Sequence, residues 1–253
     1  MNGFRTLVDK ELFEGRLKLA ISFAIMAAVA VSLPLLFDWL QEAMGGMSMP
    51  EQFADTVGAQ LRNYDLYLWS NWWGKNHSQI MVILALVWGM GIIARERENG
   101  VLSYILSRPV TRCTVLLAKC LTSATLLAFV SVSSSVVLVL VSGLSRSGAV
   151  PWFILRGLPQ SILTATSLFM VTAVFSAALR DRIMALLASI GLVAVLTGLG
   201  FIPALKYASP LYLMAAEKTM LNGRIETPVL AVLALTSAVL YLLALRLVER
   251  IEL

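Results

Sequence analysis

His77 is the only histidine among 253 residues, and most hydrolytic mechanisms need such a group at a set spacing from a carboxylate or a second ligand. No His-Glu-x-x-His pattern accompanies it, so general acid–base and zinc-protease chemistry lack their usual residues. The nearest fragment to a phosphate-binding loop is Gly74-Lys75. There Trp69 stands where Gly-x-x-x-x-Gly-Lys needs a glycine to let the backbone amides curl round a phosphate. The chain therefore carries no P-loop for ATP. Met44, Met47 and Met49 place three thioethers close together, the soft ligand type that selects Cu(I). Methionine also serves flexible membrane-proximal segments, and no metal site is assigned. Cys113 and Cys120 lie seven residues apart on one expected helix, about 10 Å along its axis and out of disulfide reach.

The elements that would have to position chemistry are mostly apolar. The sequence is 58% hydrophobic and 14% charged, with a mean hydropathy of +0.81, too little polar surface to clothe a soluble domain of this length. A spanning helix takes about 20 mostly apolar residues. Six such stretches follow one another at 17–37, 78–94, 113–143, 153–179, 183–203 and 227–247. The first is too long for the apolar core of a cleavable leader, and no small-residue cleavage site follows Phe37. The expected fold is an all-α polytopic membrane domain over residues 1–253.

The centres of the six stretches hold no Asp, Glu, His, Lys or Arg, whereas ion-coupled pumps place such groups there. Lys119 and Arg156 fall near helix ends, where they can snorkel to the interface. The many Ser and Thr, among them Ser134, Ser167, Thr172 and Ser176, allow close helix packing. Placing the N-terminus inside puts thirteen of the 20 Lys and Arg on the cytoplasmic side, as the positive-inside rule requires. Both termini are then cytoplasmic, and the net charge of +5 follows from topology without a nucleic-acid partner.

Outside the spans, residues 1–15 carry an apolar stripe of Phe4, Leu7, Val8 and Leu12 that predicts a helix lying in the interface. Residues 38–77 form the long external loop, with Trp69, Trp72 and Trp73 as interfacial anchors beside Trp39 and Trp152. The external connection 204–226 has Pro210, a short apolar run and Asn222-Gly223, the pattern of a broken or re-entrant segment. The cytoplasmic loop 95–112 is amphipathic. Val101, Leu102, Ile105 and Leu106 share a face, Asn99 and Gly100 open the helix, Pro109 stops it, and Glu96, Glu98, Arg108 and Arg112 charge its flanks.

From Arg95 to Lys119 this pattern resembles the first cytoplasmic loop of ABC type-2 exporter permeases. The likeness rests on Arg95-Glu96-Arg97-Glu98, Gly100, the helix to Leu106, Pro109-Val110-Thr111-Arg112 and Lys119. Val8-Asp9-Lys10-Glu11-Leu12 is similar to the Lys-Glu motif on that family's elbow helix, though Asn99-Gly100-Val101 departs from the Gly-Thr common after the acidic pair. The resemblance implies a permease subunit in the inner membrane, paired with a second copy, alike or unlike, and surrounded by lipid. Nucleotide-binding ATPase subunits would dock on Glu96, Glu98, Gly100, Val101, Leu102, Ile105, Leu106, Arg108, Pro109 and Arg112. It further implies ATP and Mg on those subunits, no cofactor in this chain, and a periplasmic or extracellular accessory protein. The competing expectation is a membrane-embedded assembly or maturation scaffold, or an enzyme, without an ATPase.

Overall fold

The computed structural model describes residues 2–45, 63–100, 111–145 and 150–251, and among these there are helices and turns but no strands. Six stretches are long and apolar enough to cross a membrane. The all-α polytopic expectation holds.

Helix α1 (Asn2–Gly45) is unbroken and so about 66 Å long at 1.5 Å per residue, twice the hydrocarbon thickness of a bilayer. Residues 2–15 are therefore not a separate element; they run into the first span without a break in the helix. Phe4, Leu7 and Val8 are half-buried, while Leu12 and Phe13 are exposed.

The second span starts earlier than its sequence indicates. Helix α2 (Tyr64–Asn71), a π turn (Trp72–Asn76) and helix α3 (His77–Met90) run on without a gap, and helix α4 (Ala94–Glu98) follows a break. The external loop expected over 38–77 thus loses 38–45 to α1 and 64–77 to the second span. The physical reason is that its polar residues are satisfied internally. Asn71 Nδ2 donates to the Tyr67 carbonyl at 2.9 Å, Asn76 Nδ2 to that of Asn71 at 2.8 Å, and Ser78 Oγ to that of Trp73. Trp72 and Trp73 are fully buried and so are core residues, not interfacial anchors. Trp39 and Trp152 remain exposed, as an aromatic belt requires.

Helix α5 (Arg112–Ser145) packs along α1. A 3-10 turn (Trp152–Gly157) leads into α6 (Leu158–Ala178), which packs against α3, α5 and the helices that follow it other than Glu217–Asn222. Those are α7 (Arg182–Leu199), α8 (Pro210–Ala215), α9 (Glu217–Asn222) and α10 (Thr227–Glu249), with a 3-10 turn (Pro203–Ala208) after α7. The broken connection expected over 204–226 is present as that turn with α8 and α9, which part at Ala216 with φ +48°. Its freed carbonyls find donors: Gln160 Nε2 reaches that of Leu213 at 2.7 Å and Trp69 Nε1 that of Ala215 at 3.1 Å.

Hydroxyls and glycine let the central helices approach. Thr164 and Thr172 donate to carbonyls four residues back, and Ser167 bridges α6 to Ser237 of α10 at 2.8 Å. A Cβ at Gly89 would lie 2.7 Å from Thr172 Cβ and 2.9 Å from the Phe169 carbonyl, so only glycine fits this crossing of α3 and α6. Facing outward are Ile183, Leu187 and Val195 of α7 and Val232, Leu235 and Val239 of α10, the surface a helix shows to lipid or to another apolar chain.

Candidate functional site

Polar side chains gather at two places. The first is the end of the bundle where α1 begins, α4 sits, α5 begins and α10 ends. Lys119, about two turns into α5, is only 6% exposed. It does not snorkel: its Nζ is 2.8 Å from Glu11 Oε1 of α1 and 2.7 Å from Glu96 Oε1 of α4. Lys10 stands 3.9 Å from each of the same two carboxylates and 3.5 Å from Glu14. Three carboxylates and two ammonium groups thus form one network across three elements. A charge this buried is tolerated only when paired in this way.

The break before α4 has its own fastening. At residues 91–93 the helix of the second span stops, which leaves amides without intrahelical carbonyls. Ser176 of α6 meets them: its Oγ accepts from the amides of Ile93 at 3.2 Å and Ala94 at 3.0 Å, and donates to the Met90 carbonyl at 2.9 Å. Arg97 Nη1 donates to the Ala177 carbonyl at 3.3 Å. Glu98 Oε1 accepts from the Arg182 amide at 2.7 Å while its Oε2 lies 3.4 Å from Arg182 Nε. Helix α4 is therefore tied to α1, α5, α6 and the start of α7.

Four of the residues expected to meet a partner fall in the described region. Glu96 turns inward and is spent on Lys119 and Lys10. Glu98 holds Arg182, and Gly100 is exposed with φ +66°, a left-handed turn that suits glycine. Arg112 Nη1 donates to the carbonyls of Val248, Glu249 and Ile251 at 2.8, 2.9 and 2.8 Å, capping the end of α10. Val101, Leu102, Ile105, Leu106, Arg108 and Pro109 lie outside the described residues. Lys10-Glu11 stood out as a motif, but nothing in the spacing told that Lys119 would join it to Glu96; Ser176 gave no signal beyond being one small residue among many.

The second place is at the opposite end, around His77. His77 is fully buried, with Nε2 2.9 Å from Ser131 Oγ and Nδ1 3.4 Å from Ser161 Oγ, and its ring lies 4.3 Å from that of Trp73. Trp72 Nε1 donates to Ser135 at 3.2 Å and Trp73 Nε1 to the Ile154 carbonyl at 3.0 Å. These groups satisfy one another and hold the π turn against α5 and α6. Among the described residues the hydrogen-bond partners of the imidazole are these two hydroxyls, and no carboxylate is bonded to it. Met44 is in the last turn of α1, Met47 and Met49 fall outside the described residues, and no group of three or more His, Cys, Asp or Glu among the described residues could hold a metal.

Residues 76–247 match the family model described as ABC-2 family transporter protein. That stretch includes α4, Lys119, Ser176 and His77. A comparison with curated proteins gives no match.

Proposed function

This chain belongs to the ABC-2 family of transporter proteins and is a membrane-spanning permease subunit, and we propose that it exports its substrate using ATP hydrolysed on separate subunits docked at residues 94–112. The observation that carries this reading is the fastening of α4. A displacement applied there is felt by α1 and α5 through Glu96, by α6 through Ser176, and by α7 through Glu98. Five residues tied to four other helices are poorly placed to pack a substrate and well placed to pass on a push.

On this reading the charged end is cytoplasmic and the membrane is the inner one. Val101, Leu102, Ile105 and Leu106 enter a groove on the ATPase, ATP and Mg reside on that subunit, and Arg108 orients the contact from its rim. A second permease copy, alike or unlike, completes the path, and the outward apolar faces of α7 and α10 are available to it or to lipid.

The test is the ATPase rate of the reconstituted complex in proteoliposomes. Leu102→Asp puts an unpaired charge in an apolar contact, and permease-dependent hydrolysis should fall about tenfold, the equivalent of about 1.4 kcal/mol. Insertion should be normal, because in the sequence Leu102 falls between the second and third spans. Wild-type docking and transport by Leu102→Asp, or transport by this chain with no ATPase present, would refute the assignment.

A further inference from the structure

Beside the Lys119 network a cavity of about 250 Å³ opens between α1, the 91–99 stretch and α5, with Glu14, Lys18, Arg95, Glu96, Lys119 and Thr122 in its wall. It exceeds several times the volume of about 30 Å³ that one water occupies, and falls short of the roughly 300–1,000 Å³ of a drug-sized pocket. A small polar group fits this volume.

The charges in the wall say which. Lys119 and Lys10 are taken up by Glu11, Glu96 and Glu14. Lys18 and Arg95 are in no ion pair among the described residues, so one wall offers two free cations. Elsewhere the need is the reverse. Glu96 is 8% exposed and Thr122 4%, and Glu96 Oε2 and Thr122 Oγ1 have no hydrogen-bond partner among the described residues. A buried carboxylate oxygen without a donor carries most of its desolvation penalty. The cavity thus calls for an anion at Lys18 and Arg95 and an N–H donor at Glu96, within one small ligand.

We propose that this cavity binds a phosphoethanolamine group, with its phosphate between Lys18 and Arg95 and its ammonium donating to Glu96 and Thr122. Inorganic phosphate would meet the cations but add repulsion at Glu96 and Glu14. A bare amine would leave Lys18 and Arg95 unanswered, and phosphocholine has no N–H to give. The position favours a lipid as the source. Leu17 of α1 and Leu121 of α5, each one residue before a wall residue, are 68% and 52% exposed, an apolar flank along which acyl chains can lie. The inference does not depend on the ATPase reading, and its test needs only the permease chain.

The experiment is native mass spectrometry of the full-length chain in detergent, with phosphatidylethanolamine, phosphatidylcholine and phosphatidylglycerol of matched acyl chains. Phosphatidylethanolamine should be retained about tenfold over phosphatidylcholine, about 1.4 kcal/mol, and also over phosphatidylglycerol. Arg95→Gln changes an exposed side chain in no ion pair among the described residues, so the chain should fold normally and lose that preference; Thr122→Val should weaken it without loss of fold. Soluble phosphoethanolamine distinguishes the sources. Competition only at large excess assigns the headgroup of a membrane lipid, and competition at lipid-like concentration assigns a soluble ligand with the same group. Equal retention of phosphatidylethanolamine and phosphatidylcholine, retention of phosphatidylglycerol as strong as either, or an unchanged preference in Arg95→Gln would each overturn the proposal.

Discussion

Lys119 shows how one buried ammonium decides the state of its surroundings. With Glu11 18% exposed at the side chain, Glu96 10% and Lys119 8%, the three are well shielded from water, and their mutual attraction is weakly screened. Removing the cation leaves two carboxylates sharing one site, with only Lys10 at 3.9 Å from each. Breaking such a pair costs more than it contributes when intact, because the remaining charge is stranded; about 3–5 kcal/mol is typical. Lys119→Met should therefore lower the stability of the purified permease by about that amount, read from denaturant unfolding in detergent. Adding Glu96→Gln to Lys119→Met should restore part of the loss, since the stranded charge is gone. A loss below about 1 kcal/mol in the single variant would put the network in the class of solvated surface pairs.

Among the described elements, the second span is irregular at its π turn, and that turn is held by close contacts. Gly157, the last residue of the 3-10 turn before α6, faces Trp73 so closely that a Cβ would lie 2.7 Å from the ring carbon Cε2 and 3.0 Å from Nε1. Trp73 cannot yield without losing its bond to the Ile154 carbonyl. Gly157→Ala should destabilise the fold by about 1–3 kcal/mol, as overpacking does. Gly191 and Gly198 of α7 have open space around them, and alanine there should add about 0.5–1 kcal/mol of helix stability. Unfolding of the three variants side by side would check the ordering, and Gly157→Ala as stable as wild type would mean that Trp73 does not wedge the turn. The same contrast explains what could be read from the sequence. The last four spans were legible to within a few residues, as apolar runs such as 113–143 against Arg112–Ser145 and 227–247 against Thr227–Glu249 show. The start of the second was not. Asn71, Gly74, Lys75, Asn76 and His77 look like a loop until one knows that the partners of His77 are Ser131 and Ser161, 54 and 84 residues away. Glu96 and Arg112 were picked out by charge and position, but their inward direction depends on Glu11, Lys119 and the end of α10, which local spacing does not encode.

At the scale of the whole molecule, the charges sort by end. Lys10, Arg95, Arg97, Lys119 and Arg182, linked through α4, share one end with Arg112 and the last turn of α10. The other end carries the Trp72–Trp73–His77 cluster, the broken segment and fewer cations, namely Lys75, Arg156, Lys206, Lys218 and Arg224 among the described residues. Translocating the first end would carry most of the basic side chains across the membrane, against the bias that sets orientation. The 46–62 connection should therefore face outward and the 101–110 connection inward. Cysteine labelling separates the two once the native thiols are replaced: Cys113 is exposed and would react, whereas Cys120 is buried. In intact cells an impermeant maleimide should modify Ser48→Cys and spare Ser107→Cys, and opening the membrane should make both reactive. Modification of Ser107→Cys alone in intact cells would invert the molecule. It would also carry α4 and its fastenings to the side without ATP, so the same measurement bears on where a motor could dock.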